Sequence, residues 1–149
     1  MSPPSRRTRA SVVCRHEDRL LTVGAIEPAS GRKLLILPGG LIEPGEAPAD
    51  AAARETLEET GYRVTVDPAS ALVFDYTFPW GGRDVPCRTH FFRARLADAE
   101  DDAPARASRR ADEGYLQQVE WVPVGDVPTV FAGHETIRRA VLALIRAGA

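Results

Sequence analysis

The segment Gly39–Tyr62, GGLIEPGEAPADAAARETLEETGY, decides how the rest of the chain is read. Pro48 suits the first position of a helix, Asp50 favours the positive end of the helix dipole and Gly61 reads as a stop. The pattern therefore predicts a helix over Pro48–Thr60. At about 100° per residue, Glu55, Glu58 and Glu59 fall within roughly a 100° arc of one face, which gathers three negative charges in the last two turns. This is a poor arrangement for a helix that only has to be stable. Like charges at i,i+4 (Glu55 and Glu59) cost a few tenths of a kcal/mol, and each carboxylate near the C-terminus opposes the dipole by about 0.3–1 kcal/mol. Arg54 can pair with Glu58 at i,i+4, but one arginine does not balance three carboxylates, whereas a hard divalent cation taking oxygen ligands would. The competing reading is a solvated charged face, the commoner explanation of an arbitrary glutamate-rich helix.

The spacing of the whole segment decides between the two. Five residues separate Gly40 from Glu46, seven more lead to Arg54-Glu55, Glu58-Glu59 follow, and Gly61 comes after one further residue. This resembles the Nudix box, the signature of the Nudix hydrolase family, with a match at Gly40, Glu46, Arg54, Glu55, Glu58, Glu59 and Gly61. With each letter at roughly 6–7% abundance, a chance match at a given start is on the order of one in a hundred million. Two positions that are bulky and apolar in the box hold Thr56 and Tyr62 here, a departure expected to loosen helix packing without touching a ligand.

The resemblance implies an α/β class Nudix fold, a mixed β-sheet sandwiched between helices, and hydrolysis of nucleoside diphosphates linked to another moiety X. It implies Mg2+, with Mn2+ as a substitute, held by the Gly39 carbonyl and by Glu55, Glu58 and Glu59. Glu55 and Glu59 are the principal ligands on this reading, and Glu58 is a further ligand or positions water. Arg54 orients the carboxylates, and Glu46 supports the loop and helix. The general base is left open between a box glutamate and an acid outside it. Glu113, followed by Gly114, resembles a loop glutamate that some members use as an additional metal ligand, and Glu120 beside Trp121 is the other candidate. A homodimer is compatible with the resemblance. Two other classes stay open: a catalytically silent domain that binds a nucleotide as a sensor, and a hydrolase or isomerase of non-nucleotide diphosphates.

The rest of the chain sets the bounds. At 149 residues with 44% hydrophobic content, it is long enough for one domain with a proper core. A net charge of −2 leaves no electrostatic footprint for duplex nucleic acid, so a small nucleotide is the expected partner. Residues 1–8 read as a basic, Pro/Ser-rich flexible tail, with the domain over 9–149. No apolar run is long enough to make a signal peptide or span a bilayer, so a cytoplasmic location is expected. Cys14 and Cys87 lack metal-type spacing and are expected as buried, reduced thiols.

Thr8–Arg15 and Arg19–Ile26 predict a β-hairpin, Lys33–Leu37 a short strand, and Pro38-Gly39-Gly40 a turn. Tyr62–Val66, Ala71–Phe78, Thr89–Leu96 and Gln118–Val122 read as extended, Asp98–Gly114 as a loop, Pro123–Pro128 as irregular. The stripe Ile137, Ala140, Val141, Leu144 and Ile145 predicts a helix over His134–Ala147. Phe74, Tyr76, Phe78 and Trp80 alternate at period two and share a face. Most of that face is expected in the core, with Trp80, and Phe78 beside it, as candidates to meet a nucleobase. His90 is expected to be structural.

Overall fold

The computed structural model of the chain describes residues 6–97 and 116–146. Its strands are β1 (Arg7–His16), β2 (Arg19–Ile26), β3 (Lys33–Ile36), β4 (Gly39–Leu41), β5 (Val64–Val66), β6 (Leu72–Trp80), β7 (Arg83–Leu96) and β8 (Leu116–Pro123). The helices are α1 (Pro48–Thr60), α2 (Val127–Val130) and α3 (Glu135–Leu144). The fold is α/β. Among the described residues the strands form one mixed sheet in the order β3-β2-β1-β7-β5, with β4 beside β1, β6 beside β7 and β8 beside β2. The pair β1–β7 is parallel and the other pairs are antiparallel.

Alternation along β1 assigns the two layers. Ala10, Val12 and Cys14 pack toward Ala51 and Ala52 of α1 and toward Tyr62 and Phe92. Val13 faces the other way, onto Phe91, Val127, Phe131 and the α3 residues Ala140, Val141 and Leu144. The helices thus cover opposite faces, which is the sandwich the sequence predicts. Helix α1 has the predicted ends. Pro48 loses no hydrogen bond at the first turn, and Gly61 (φ 79°) closes the last one by donating its N–H to the Leu57 carbonyl at 2.9 Å.

Four expectations need correction. The first hairpin pairs only at its tip, Arg15 with Leu20 and His16 with Arg19. Beyond that β1 is taken by β4 and β7, and β2 by β3 and β8, so long-range partners pull the two strands apart. The Gly39-Gly40 pair is a short strand on β1 rather than a turn, because its missing side chains let two backbones and a helix meet. Val124–Val130 is ordered as a 3-10 turn and the single turn of α2, with Pro128 in its first positions. Arg7, assigned to the tail, belongs to β1 and pairs with Cys87 of β7, one residue before the expected strand start at Thr8.

Helix α3 starts one residue after the expected His134, which stands at the position before its first turn, and ends at Leu144. β6 and β7 form a long hairpin closed by Gly81-Gly82, both at positive φ (64° and 78°), as a tight two-residue turn demands. Residues 1–5, 98–115 and 147–149 lie outside the described residues, and with them the expected loop over Asp98–Gly114. Cys14 and Cys87 are buried free thiols, and burial pushes Cys14 up to about 12. Among the described residues no helix is long and apolar enough to cross a membrane.

The two departures from the apolar positions are absorbed. Thr56 is buried with its hydroxyl on the Ala52 carbonyl (2.7 Å), and Thr60 repeats the arrangement on Thr56 (2.6 Å) while accepting the Tyr62 amide (3.0 Å). Tyr62 is fully buried and meets Trp121 edge to face at 5.6 Å, so it anchors the helix exit instead of loosening it. Tyr62→Ala is expected to lower the unfolding free energy by about 3–5 kcal/mol, read by urea denaturation. A loss below about 1 kcal/mol would show that the ring is not a core anchor.

Candidate active site

The inward face of α1 carries Ala51, Ala52, Glu55, Thr56, Glu59 and Thr60. Glu55 and Glu59 are 5% and 3% exposed, so two carboxylates lie where apolar side chains would be expected. Burying a carboxylate costs several kcal/mol unless it is held by donors, and both are held. Glu59 Oε1 accepts the Gly39 amide at 2.7 Å, and Glu55 Oε1 accepts Arg54 Nη1 at 3.0 Å. Glu58 lies on the rim, its side chain 37% exposed, with Arg54 Nη1 at 3.4 Å.

The glycines explain how β4 reaches the helix. A Cβ at Gly40 would run into the Glu55 carboxyl group, with its oxygens at 2.6 and 2.8 Å, and one at Gly39 would collide with the Ala10 carbonyl and the Ser11 hydroxyl. Arg54 organises the surroundings. Its Nε and Nη2 grip the two Glu46 oxygens at 2.8 and 2.9 Å, and Nη2 also donates to the Leu41 carbonyl at 3.1 Å. Glu46 Oε1 in turn accepts the Glu43 amide at 3.0 Å. One guanidinium thereby ties β4, the loop before α1 and α1 itself. This pairing and the Glu43 amide hold the Glu46 carboxyl down at about 2, and the same pairing raises Arg54 further above its ordinary value.

A cavity of about 590 Å3 opens beside Glu59. Ser11, Arg9 and Arg7 line it from β1, Phe78 and Trp80 from β6, and His134 from the start of α3. Phe78 stacks on His134 with ring centroids 4.7 Å apart and planes 7° from parallel, and Trp80 lies 6.1 Å from Phe78. Burial lowers the His134 imidazole below its ordinary range. Trp80 also packs against the buried pair Val23 and Ala25, as Ile36 does. Its end of the hairpin is latched by Glu27, whose carboxylate accepts the amides of Ala29 (3.0 Å), Ser30 (2.9 Å) and Gly81 (2.8 Å). Those amides bring Glu27 down to about 2.

The NUDIX domain profile matches residues 4–144 of the chain. The chain belongs to the Nudix family. A Mycobacterium tuberculosis (strain CDC 1551 / Oshkosh) protein named MutT4 is 35% identical over 114 residues, which are 76% of this chain and 42% of that one. The Mus musculus ADP-sugar pyrophosphatase is 30% identical over 115 residues, 76% of this chain and 50% of its own. The chain thus spans half or less of the length of these relatives. A solved NUDIX hydrolase from Nitrosomonas europaea superposes with a TM-score of 0.70 at 21% identity, covering 97% of this chain and 90% of that one, and so shares the Nudix fold.

In this Nudix domain the donor set suits a hard divalent cation: carboxylate oxygens of Glu55, Glu58 and Glu59 and the backbone of Gly39, with Arg54 the cation between them. Among the described residues, however, no three His, Cys, Asp or Glu side chains converge on a single point. Glu55 is drawn to Arg54 and Gly40, Glu59 to the Gly39 amide, and Glu58 to the rim. Of the acids considered outside the Nudix box, Glu120 is paired with Lys33 at 2.6 Å and Glu113 lies outside the described residues. Phe78 and Trp80 line the cavity together with Glu59, whereas His90 is half-buried on β7 beside Phe92 (centroids 6.5 Å apart). Arg7, Arg9, Glu27 and His134 are brought to the site by pairing and packing that no local motif announces.

The Glu46–Arg54 pair makes a pH prediction. Because folding depresses the Glu46 pKa, the stabilisation is complete above about pH 4.5, the value for an unpaired carboxyl, and is lost as pH falls toward 2. Glu46→Gln should lower Tm at neutral pH and flatten its dependence between pH 4.5 and 2. An acid limb as steep in the variant as in the parent would contradict the assignment.

Proposed function

We propose that the chain is a divalent-cation-dependent pyrophosphohydrolase, using Mg2+ or Mn2+, that cleaves a phosphoanhydride bond in a nucleoside diphosphate linked to X. The observation that carries this reading is the pair of buried carboxylates, Glu55 and Glu59, the second of which lines a cavity that is basic along one strand and aromatic at its end. A fold does not by itself assign a function, and these side chains are what distinguish the site chemically.

A phosphoanhydride resists attack because its oxygens repel an incoming nucleophile. The divalent ion, when bound, would supply charge neutralisation and activation of water. Glu55, Glu59, Glu58 and the Gly39 carbonyl would hold it. The chain's own contribution is placement. Arg54 restrains Glu55 and Glu58 while Glu46 restrains Arg54, which limits how far these acids have to move to take up the ion. Water adds to phosphorus, the bridging P–O bond breaks, and the displaced phosphate leaves with the electron pair. The proton from water passes to a carboxylate of the Glu55–Glu59 set or to Glu113. Phe78, Trp80 and His134 offer flat apolar faces to a base.

The mouse relative is named for pyrophosphatase action on ADP-sugars, which supports the reaction class. Glu59→Gln should retain the fold and reduce kcat/KM by about a thousandfold, equivalent to about 4 kcal/mol of transition-state stabilisation. Release of nucleoside monophosphate from a nucleotide panel with Mg2+ reads the loss. Near-parental turnover by the variant would remove Glu59 from the mechanism, and tight nucleotide binding without turnover by the parent chain would favour a silent sensor instead.

A further inference from the structure

The cavity holds more positive charge than a diphosphate beside α1 uses. Arg7, Arg9 and Ser11 alternate along β1 and share one face, and in the parallel pairing they stand beside Cys87, Thr89 and Phe91 of β7. The same register fixes the order of groups along the wall. Ser11 lies opposite Gly39, whose amide holds Glu59; Arg9 follows, and then Arg7 in the row of Cys87 and Tyr76. Beyond them come Phe78 opposite Val85 and Trp80 opposite Arg83. At about 3.4 Å per residue, Arg9 is about 7 Å from the Ser11 row, Arg7 about 14 Å and the Phe78 row about 20 Å.

None of the ion pairs among the described residues involves Arg7 or Arg9. Arg9 is half-buried, and Glu59 is the one carboxylate among the cavity's described lining residues. A half-buried guanidinium with no carboxylate in ion-pair range is a costly arrangement unless a ligand brings the charge, and planar donors of this kind suit phosphate oxygens. Counted by backbone rows, a diphosphate seated at Glu59 lies nearer to Arg9 than to Arg7. An uncharged sugar as X would bring no charge to the half-buried Arg9, while the exposed Arg7 meets water.

We infer that X extends the phosphate chain, so that the preferred substrate is a nucleoside polyphosphate of three or more phosphates rather than a nucleoside diphosphate joined to a neutral sugar. This rests on the hydrolase reading above. The reacting phosphates sit at α1, further phosphates run past Arg9 and Arg7, and a base ends the path at Phe78 and Trp80.

The test compares kcat/KM with Mg2+ for adenosine triphosphate, diadenosine tetraphosphate and ADP-glucose. The parent chain is expected to prefer at least one polyphosphate over ADP-glucose by tenfold or more. Which polyphosphate wins tells whether a second nucleoside is needed. The double variant Arg7→Gln/Arg9→Gln should reduce that ratio at least tenfold, whereas Arg88→Gln, which removes an equal kind of charge from the opposite face, should leave it unchanged. Preference for ADP-glucose by the parent, or an equal loss on all substrates in the double variant, overturns the inference. Calorimetric binding of the same three ligands with Ca2+ reads the preference without turnover. If no bond is cut, the hydrolase reading fails, while the charge selection still stands or falls on those affinities.

Discussion

Two carboxylates buried under a glycine strand set the terms for the rest of the molecule. Glu55 occupies space that any side chain at Gly40 would claim, and Glu59 is pinned by the amide of Gly39. That contact requires β4 to lie flat on α1, which requires β4 to pair with β1 and α1 to present alanines at Ala51 and Ala52 where it crosses the sheet. Buried charge of this kind contributes little to stability compared with well-packed apolar groups, so its retention points to chemistry rather than folding.

Arg54 is the reason the arrangement is tolerable. A surface arginine pairing with a single glutamate at i,i+4 would contribute little. This one spans a loop carboxylate, a strand carbonyl and two helix carboxylates, and it fixes the loop between Leu41 and Pro48 against the helix. The last turn of the helix holds no basic residue of its own, so Glu58 and Glu59 stand against the dipole there. Across that cavity the charge reverses along Arg9 and Arg7, which line it from β1.

What could be read from sequence follows the range of the interactions. Helix α1 was legible to its last residue because Pro48 and Gly61 act locally, and the acidic face followed from its period. The alternation through Phe74, Tyr76, Phe78 and Trp80 was legible for the same reason. The splayed first hairpin was not, since partners in β7 and β8, far along the chain, decide where β1 and β2 go. Arg7 looked like part of a tail because only its pairing with Cys87 makes it strand. Glu27 carried no motif, and its value lies in three amides, one of them from Gly81 across two hairpins. The cluster of glutamates was legible in sequence, but not that two would turn inward and the third remain at the rim.

The proposed chemistry requires the acidic face of α1 to take up a divalent ion through Glu55 and Glu59. Titration of the protein with Mn2+, followed by the loss of free-ion signal in electron paramagnetic resonance, tests this without any substrate. The account predicts saturable binding that weakens at least tenfold in Glu55→Gln and in Glu59→Gln, with the fold intact by circular dichroism. Equal Mn2+ uptake by the parent and both variants, or none by the parent, would contradict it.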